Sequence, residues 1–345
     1  MILIFSQNFD PSTDKVIDWL VHFKKPFIRI NYNTDYVESV FLELSDDCEL
    51  GMDNVDQPYQ IDNYIRALTF TLTSGVKIDL KTINSVWYRR GGMPSYNSFF
   101  IDFSVLKLKF FIKKSQEYLD TEYNEIVRYI YFYLFKNCRV KNLGTPFLSA
   151  SNKPQYLTLA KLYGLKIPNF YIVSRKSELK YALSKSRNNI TKGISEMIMF
   201  AKDYLRLISY TSKIDEADTD MVDDRFFPSG IQKEIIKLAD IRVVYLHGKC
   251  FSMAIFSQNN HRTSTDFRNY DSVEPNRNTP FKLPASFENK LKLLCEHIGL
   301  NFCSIDVLLD RDYQLYFLEI NPVGQFGMVS MPCNYHIEKI IAEKL

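Results

Sequence analysis

Two apolar runs near the C-terminus, Phe302-Cys303-Ser304-Ile305-Asp306-Val307-Leu308-Leu309 and Tyr313 to Asn321-Pro322, flank Asp310-Arg311-Asp312 and leave few ways for that stretch to fold. Apolar runs around a cluster of turn residues read as an antiparallel hairpin. With a two-residue turn, paired residue numbers sum to an odd value, which puts Asp306 on the face of Glu319 and Asn321. Glu319 and Asn321, two apart, share a face in any register. Two carboxylates and an amide then converge inside apolar strands, where each unpaired ionised group is costly. A hard divalent cation removes that cost, and all-oxygen ligation with open positions suits Mg²⁺ shared with phosphates. The competing reading is a buried carboxylate neutralised by one of the 43 basic residues.

Composition narrows the class. The 345 residues carry a net charge of +3, with 46% hydrophobic and 24% charged residues, so disorder is excluded as the dominant state and so is nucleic-acid binding by bulk charge. Only 12 residues are Gly, which disfavours phosphate-cradling Gly-rich loops. Six cysteines without a C-x-x-C pair, and five histidines, fit a reduced intracellular protein with the cysteines as small core residues. His247, His261, His297 and His336 are given no role. The N-terminal apolar run stops after Phe5, too short for a signal peptide, and no stretch reaches the roughly 18 apolar residues of a membrane helix. The expectation is a cytoplasmic, enzyme-sized protein with no membrane and no nucleic-acid partner.

Along the chain, residues 2–5, the helical spacing of Val16, Trp19, Leu20 and Phe23, and the run Pro26 to Ile30 predict a βαβ start to a parallel sheet. Residues 68–80 predict a hairpin turning at Ser74-Gly75, and 85–88 one more strand. Arg89-Arg90-Gly91-Gly92 leaves its end, the edge where open α/β sheets gather ligands; a structural salt bridge is the alternative. Residues 113–136 predict a long helix closing the first domain, and 140–146 a turn-rich link. Ser151-Asn152-Lys153 reads as a helix start, and 165–168 and 170–173 as strand. Residues 194–201 and 204–211 read as two strands, and the acidic run 215–224 as a solvated loop or a dock for a basic segment. Gln232 to Ile236 leads into a strand on which Asp240 and Arg242 share a face, while Arg268-Asn269 falls in a polar loop.

The succession Asn152-Lys153, Leu165-Lys166-Ile167-Pro168, Lys192, Gln232-x-Glu234-Ile235-Ile236, Asp240-Ile241-Arg242, Arg268-Asn269, Asp306 and Leu318-Glu319-Ile320-Asn321-Pro322 resembles the ATP-grasp ligases over about residues 140–345. Trp87-Tyr88-Arg89-Arg90 and Gly324-Gln325-Phe326 resemble the microviridin-type and grasp-with-spasm branch, the graspetide peptide maturases. The resemblance implies an α/β fold with α+β lobes: a pre-ATP-grasp α/β domain over 1–136, a central lobe over 137–230 whose 194–212 hairpin helps bind a leader peptide, and a C-terminal lobe over 231–345. It implies that Lys153 and Lys192 contact ATP phosphates, that Gln232, Glu234, Ile235, Ile236 and Asn269 belong to the ATP site, and that Asp240 holds the ribose. Asp306, Glu319 and Asn321 would carry Mg²⁺, with Arg242 and Arg268 stabilising the transferring phosphoryl group. The sequence departs from the family after Lys192, where Gly193-Ile194-Ser195 replaces a fuller Gly-rich stretch.

The implied reaction is ATP-dependent closure of side-chain ω-ester or ω-amide bonds within a ribosomally made precursor peptide, by a homodimer. The alternatives are a ligase that adds an amino acid to a peptide or protein terminus, and a nucleotide-gated peptide-binding protein that performs no ligation.

Overall fold

Strand β1 (Ile2–Ser6) is buried along its whole length. Asp10 caps the next helix, α1 (Pro11–His22), by accepting from the Ser12 amide, and Pro11 suits the first turn because no N–H is needed there. β2 (Phe27–Asn31) pairs parallel to β1, completing the expected βαβ unit. β3 (Val37–Leu44), β4 (Ile65–Leu72) and β5 (Lys77–Asp79) form a separate antiparallel sheet, with Gly75 at φ +83 in the β4–β5 turn. β6 (Ser85–Tyr88) pairs parallel to β1 on the side opposite β2. After α2 (Lys109–Lys136), β7 (Lys141–Leu143) adds to β6, giving the order β2-β1-β6-β7.

The computed structural model describes residues 1–44, 61–96, 109–148, 152–195, 199–202, 205–208, 211–258 and 275–345. The chain divides into two units, Met1–Ser149 with Glu338–Leu345, and Ala150–Ile337. The first unit therefore runs beyond 136, because β7, three residues long and without readable periodicity, belongs to the first sheet. The C-terminal residues join the same unit: Lys25 Nζ donates to the carbonyls of Ala342 and Glu343 at 2.9 Å each, a cation on the open end of a helix.

In the second unit Asn152 caps α3 (Lys153–Leu162) by accepting from the Gln155 amide at 3.1 Å. Residues 165–168 are not strand; Lys166 O accepts from Phe317 N at 2.8 Å, and Pro168 has no N–H for a ladder. β8 (Phe170–Arg175), α4 (Lys176–Ser184), β9 (Asn189–Lys192), β10 (Met199–Lys202), β11 (Leu205–Ile208), β12 (Ser212–Ile214) and β13 (Arg225–Lys233) follow. Their main sheet has the order β12-β9-β13-β8, while β10 and β11 form a two-stranded hairpin within the expected 194–212. Most of the acidic residues of 215–224 are exposed, as a solvated loop requires.

The second sheet is built from β14 (Lys237–Leu246), β15 (Lys249–Phe256), β16 (Arg277–Phe281), β17 (Phe302–Asp310) and β18 (Leu315–Asn321), in the order β16-β15-β14-β17-β18, with α5 (Ala285–Ile298) between β16 and β17. β14 turns into β15 at His247 and Gly248, both at positive φ. Short helices α6 (Gly327–Cys333) and α7 (Ile337–Lys344) end the chain. β17 is the core strand of this sheet: Phe302, Cys303, Ile305 and Val307 are all buried, at about 1.5–3 kcal/mol for each large apolar side chain. Cys295, Cys303 and Cys333 are core residues as expected, but Cys138 is exposed, and Cys48 lies outside the described residues. Among the described residues no helix is long and apolar enough to cross a membrane.

The β17–β18 register differs from the expected one at its tip. Leu309 faces Leu315 and Val307 faces Phe317, an even-sum register, because the connection is longer than two residues. A bulge between Asp306 and Val307 then shifts the pairing, so that Asp306 faces Glu319 and Ser304 faces Asn321. The bulge leaves Leu318 as the extra residue and restores the odd-sum face at the carboxylates.

Candidate active site

The two sheets of the second unit enclose a cavity of about 280 Å³, at the small end for ligand sites. Nine of the thirteen residues singled out from the sequence line it: Lys192, Gln232, Glu234, Ile235, Ile236, Asp240, Arg242, Asp306 and Glu319. Lys192 ends β9 and Gln232 lies in β13 of one sheet, whereas Asp240, Arg242, Asp306 and Glu319 come from β14, β17 and β18 of the other. Glu234–Ile236 is the link that carries the chain from one sheet to the other.

Its charges are arranged as a row. Arg242 faces Asp306 across β14 and β17, and Asp306 faces Glu319 across β17 and β18. Arg242 Nη1 donates to Asp306 Oδ1. Lys192 Nζ reaches from the other sheet to donate to Glu319 Oε2 at 3.1 Å. All four side chains are 10–14% exposed, so these pairs are only weakly screened by water. Two carboxylates and two cations cancel, which is how the chain tolerates four nearly buried charges. The cation reading and the salt-bridge reading of the carboxylates thus fall on the same residues.

Asp240 is more heavily engaged than a ribose-holding residue requires. Lys237 Nζ donates to both of its carboxylate oxygens, at 2.9 and 2.8 Å, and Ser257 Oγ lies 2.7 Å from Oδ2. A carboxylate has about four acceptor positions, so further donors can still be taken up. Lys237 was not found by sequence reasoning, because it lies three residues from Asp240, an odd spacing that alternation assigns to the opposite face. A bulge between Lys237 and Ala239 turns it to the Asp240 side. Ser257, Asn188, Thr211 and Lys213 also escaped notice; their sequence context gives no signal. Lys213 pairs with Glu234 at 3.2 Å but is 68% exposed, a contact of little energetic weight.

Two polar atoms of the cavity residues are left unsatisfied. Gln232 Oε1 and Arg242 Nε are buried without a hydrogen-bond partner, a cost of about 1–3 kcal/mol each that a polar ligand would relieve. The Mg²⁺ expectation fits the donor chemistry: two carboxylates opposite one another and an amide on the same strand face are all hard oxygen donors. Three such donors fill only part of the octahedral shell of Mg²⁺, and the remaining positions would go to phosphate and water.

Two of the described expected residues, Lys153 and Asn321, are not among the residues that line the cavity. Lys153 is buried with its Nζ 5.1 Å over the Phe170 ring, and Phe170 faces the cavity residue Gln232 across β8 and β13. Asn321 faces Ser304, and the loop after it is seated on that residue, because a Cβ at Gly324 would lie 2.1 Å from Ser304 Oγ. Arg268 and Asn269 lie outside the described residues.

No protein-family model matches this chain. No curated protein matches it. Solved structures do match. The RiPP-associated ATP-grasp ligase of Chryseobacterium gregarium, in complex with ADP and a leader and core peptide, is 22% identical, with 99% of this chain and 94% of that one covered and a TM-score of 0.74. Macrocyclase MdnC of Microcystis aeruginosa, bound with precursor peptide MdnA, is 22% identical, with 99% and 98% covered and a TM-score of 0.71. ATP-grasp ligase PsnB, complexed with minimal precursor, Mg and ADP, is 13% identical, with 99% and 95% covered and a TM-score of 0.66. The chain has the α/β fold of the ATP-grasp ligases, along nearly its whole length.

Proposed function

We propose that this protein is an ATP-dependent, Mg²⁺-using carboxylate ligase that closes side-chain ω-ester or ω-amide bonds within a ribosomally made precursor peptide. The observation that carries the reading is the single cavity in which Lys192, Arg242, Asp306 and Glu319 meet beside the unpartnered Gln232 Oε1. The solved structures of similar fold that were determined with ADP and peptides support it.

A free carboxylate is a poor acyl donor, and the fold supplies what its activation needs. Gln232 and the Glu234–Ile236 link would line the adenine, and Asp240 would accept from a ribose hydroxyl. Lys192, Lys153 and Arg242 would donate to phosphate oxygens, whose negative charge grows during transfer. Asp306, Glu319 and Asn321 would hold Mg²⁺, and in doing so would exchange the internal cations they pair with here. Bound Mg²⁺ supplies charge neutralisation for the phosphate oxygens. The peptide carboxylate attacks the γ-phosphorus and ADP leaves. A Ser or Thr hydroxyl, or a Lys amine, then attacks the acyl carbon, and phosphate leaves with loss of one proton from the nucleophile. Arg242 and Arg268 would stabilise the oxygens that gain charge in both steps, so no nucleophilic Cys or catalytic His is required. The acting form is proposed to be a homodimer, a point that molar mass in solution settles.

The test is to incubate the protein with a candidate precursor and Mg-ATP and weigh the peptide. Loss of one water per bond, with ADP release, is the expected result. Gain of an amino-acid residue would replace this reading with terminal extension. An unchanged mass without ADP would remove ligation altogether.

A further inference from the structure

Asp240 lines the cavity from β14, and its cross-strand neighbours are apolar: Ile255 faces it on β15 and Leu308 on β17. An ionised carboxylate in such surroundings is costly unless donors stand close to it. Lys237 and Ser257 supply them. Lys237 Nζ donates to Asp240 Oδ1 at 2.9 Å and to Oδ2 at 2.8 Å, and Ser257 Oγ lies 2.7 Å from Oδ2. Gln258 Nε2 lies 3.4 Å from Ser257 Oγ in turn, so the carboxylate is braced from both flanking segments. Lys237 and Gln258 line the same cavity as Asp240.

The lysine reaches this place by a departure from regular strand geometry. Three residues apart, Lys237 and Asp240 would point to opposite faces of β14. The ladder to β17 instead pairs Lys237 with Asp310 and Ala239 with Leu309, which leaves Leu238 as an extra residue and turns Lys237 onto the Asp240 face. Bulges of this kind break a ladder locally and recur beside functional sites, where they re-aim one side chain.

The re-aimed ammonium is only 6% exposed and engages both oxygens of one carboxylate. A carboxylate held through both oxygens cannot rotate about its Cβ–Cγ bond without breaking a hydrogen bond. Its orientation in the cavity is therefore set before a ligand arrives, which lowers the ordering cost of binding.

We propose that Lys237 is a positioning residue for the sugar of the bound nucleotide: it fixes the Asp240 carboxylate in the orientation that accepts from a ribose hydroxyl. Lys237 acts through Asp240 and not on the nucleotide itself. The inference rests on the nucleotide-binding reading of the cavity and adds to it a source of selectivity for a hydroxylated sugar.

The full chain would be titrated calorimetrically, without peptide, with Mg-ATP and with the Mg complex of 2′,3′-dideoxy-ATP, which lacks both sugar hydroxyls. A hydrogen bond to a charged group corresponds to about a tenfold or greater preference of the parent protein for ATP. Lys237→Gln should weaken ATP by about fivefold and leave the dideoxy affinity within about twofold, so that the preference shrinks. A merely structural lysine would weaken both nucleotides alike or lower only the thermal melt, and either result overturns the proposal. Should Lys237→Gln fail to fold, the double variant Lys237→Gln with Asp240→Asn, which buries no unpaired charge, is compared with Asp240→Asn alone. The two should bind each nucleotide equally. A further several-fold loss of ATP affinity in the double variant would show Lys237 acting on the nucleotide directly and overturn the proposal. If the parent binds ATP without preference over the dideoxy compound, this inference falls and the ligase reading stands. If it binds neither nucleotide, the ligase reading falls and takes this inference with it.

Discussion

The cavity of the second unit and the sheet edge of the first both hold arginine against aspartate, yet the two clusters are built differently. In the cavity each carboxylate has its own cation: Arg242 with Asp306, and Lys192 with Glu319. At the sheet edge one carboxylate, Asp10, serves two guanidiniums and a helix N-terminus. Paired charges can exchange partners when a ligand brings opposite charges of its own, so the cavity suits a ligand that carries both phosphate and metal. The shared carboxylate is tied to two guanidiniums and a helix N-terminus at once, so it cannot leave one partner without disturbing the others. Neither property is visible in a count of Arg and Asp residues.

The difference can be broken at several points. Glu319→Gln keeps the shape of the cavity but removes one charge of the proposed Mg²⁺ site, and should reduce ligation by at least about a hundredfold with an unchanged thermal melt. An active Glu319→Gln enzyme would remove the metal assignment. Asp10→Asn strips the carboxylate from a wholly buried guanidinium and should cost about 3 kcal/mol, read in a denaturant titration. Stability within about 0.5 kcal/mol of the parent would show that Asp10 is not the essential counter-charge.

A smaller effect is expected at Ser257→Ala, which frees one oxygen of Asp240 while leaving Lys237 in place. About 1 kcal/mol of positioning should appear as a several-fold rise in KM for ATP with little change in kcat. If Asp240 does not touch the ribose, neither parameter will move.

Acid sensitivity is a fourth, milder probe, confined to the first unit. Burial works to raise the Asp62 carboxyl, but hydrogen bonds from Arg139 Nε, at 2.5 Å, and from Tyr133 outweigh it and hold the group below its ordinary value of 3.8. A depressed carboxyl stabilises the fold above its unfolded pKa and loses that contribution as pH falls through the folded one. Asp62→Asn should therefore flatten the decline of the melting temperature below about pH 4 and change little near neutrality. An unaltered acid decline would show that the Asp62 contacts do not matter to stability.

Much of the candidate site is legible in the sequence, and the reasons are local. Alternation alone put Glu319 with Asn321, and Asp240 with Arg242, on common faces, and β14, β17 and β18 formed where apolar spacing indicated. Asn152 and Gly75 mark a helix start and a turn through their own backbone chemistry. Asp306 and Glu319 do share a face, although this depends on a bulge at Leu318 rather than on a short turn. Lys237 was hidden by another bulge, which reverses the parity on which strand reasoning depends. β7 was too short to show a period.

The sequence by itself determined which side chains stand on which face of each strand, because that is a property of neighbouring residues and a period of two. Tertiary structure alone decided which charges meet. Lys192 and Glu319 are 127 residues apart on different sheets, and Asp10 and Arg90 follow strands that become neighbours only when β6 docks beside β1. Contacts of that kind depend on chain crossings, for which no local spacing carries a signal.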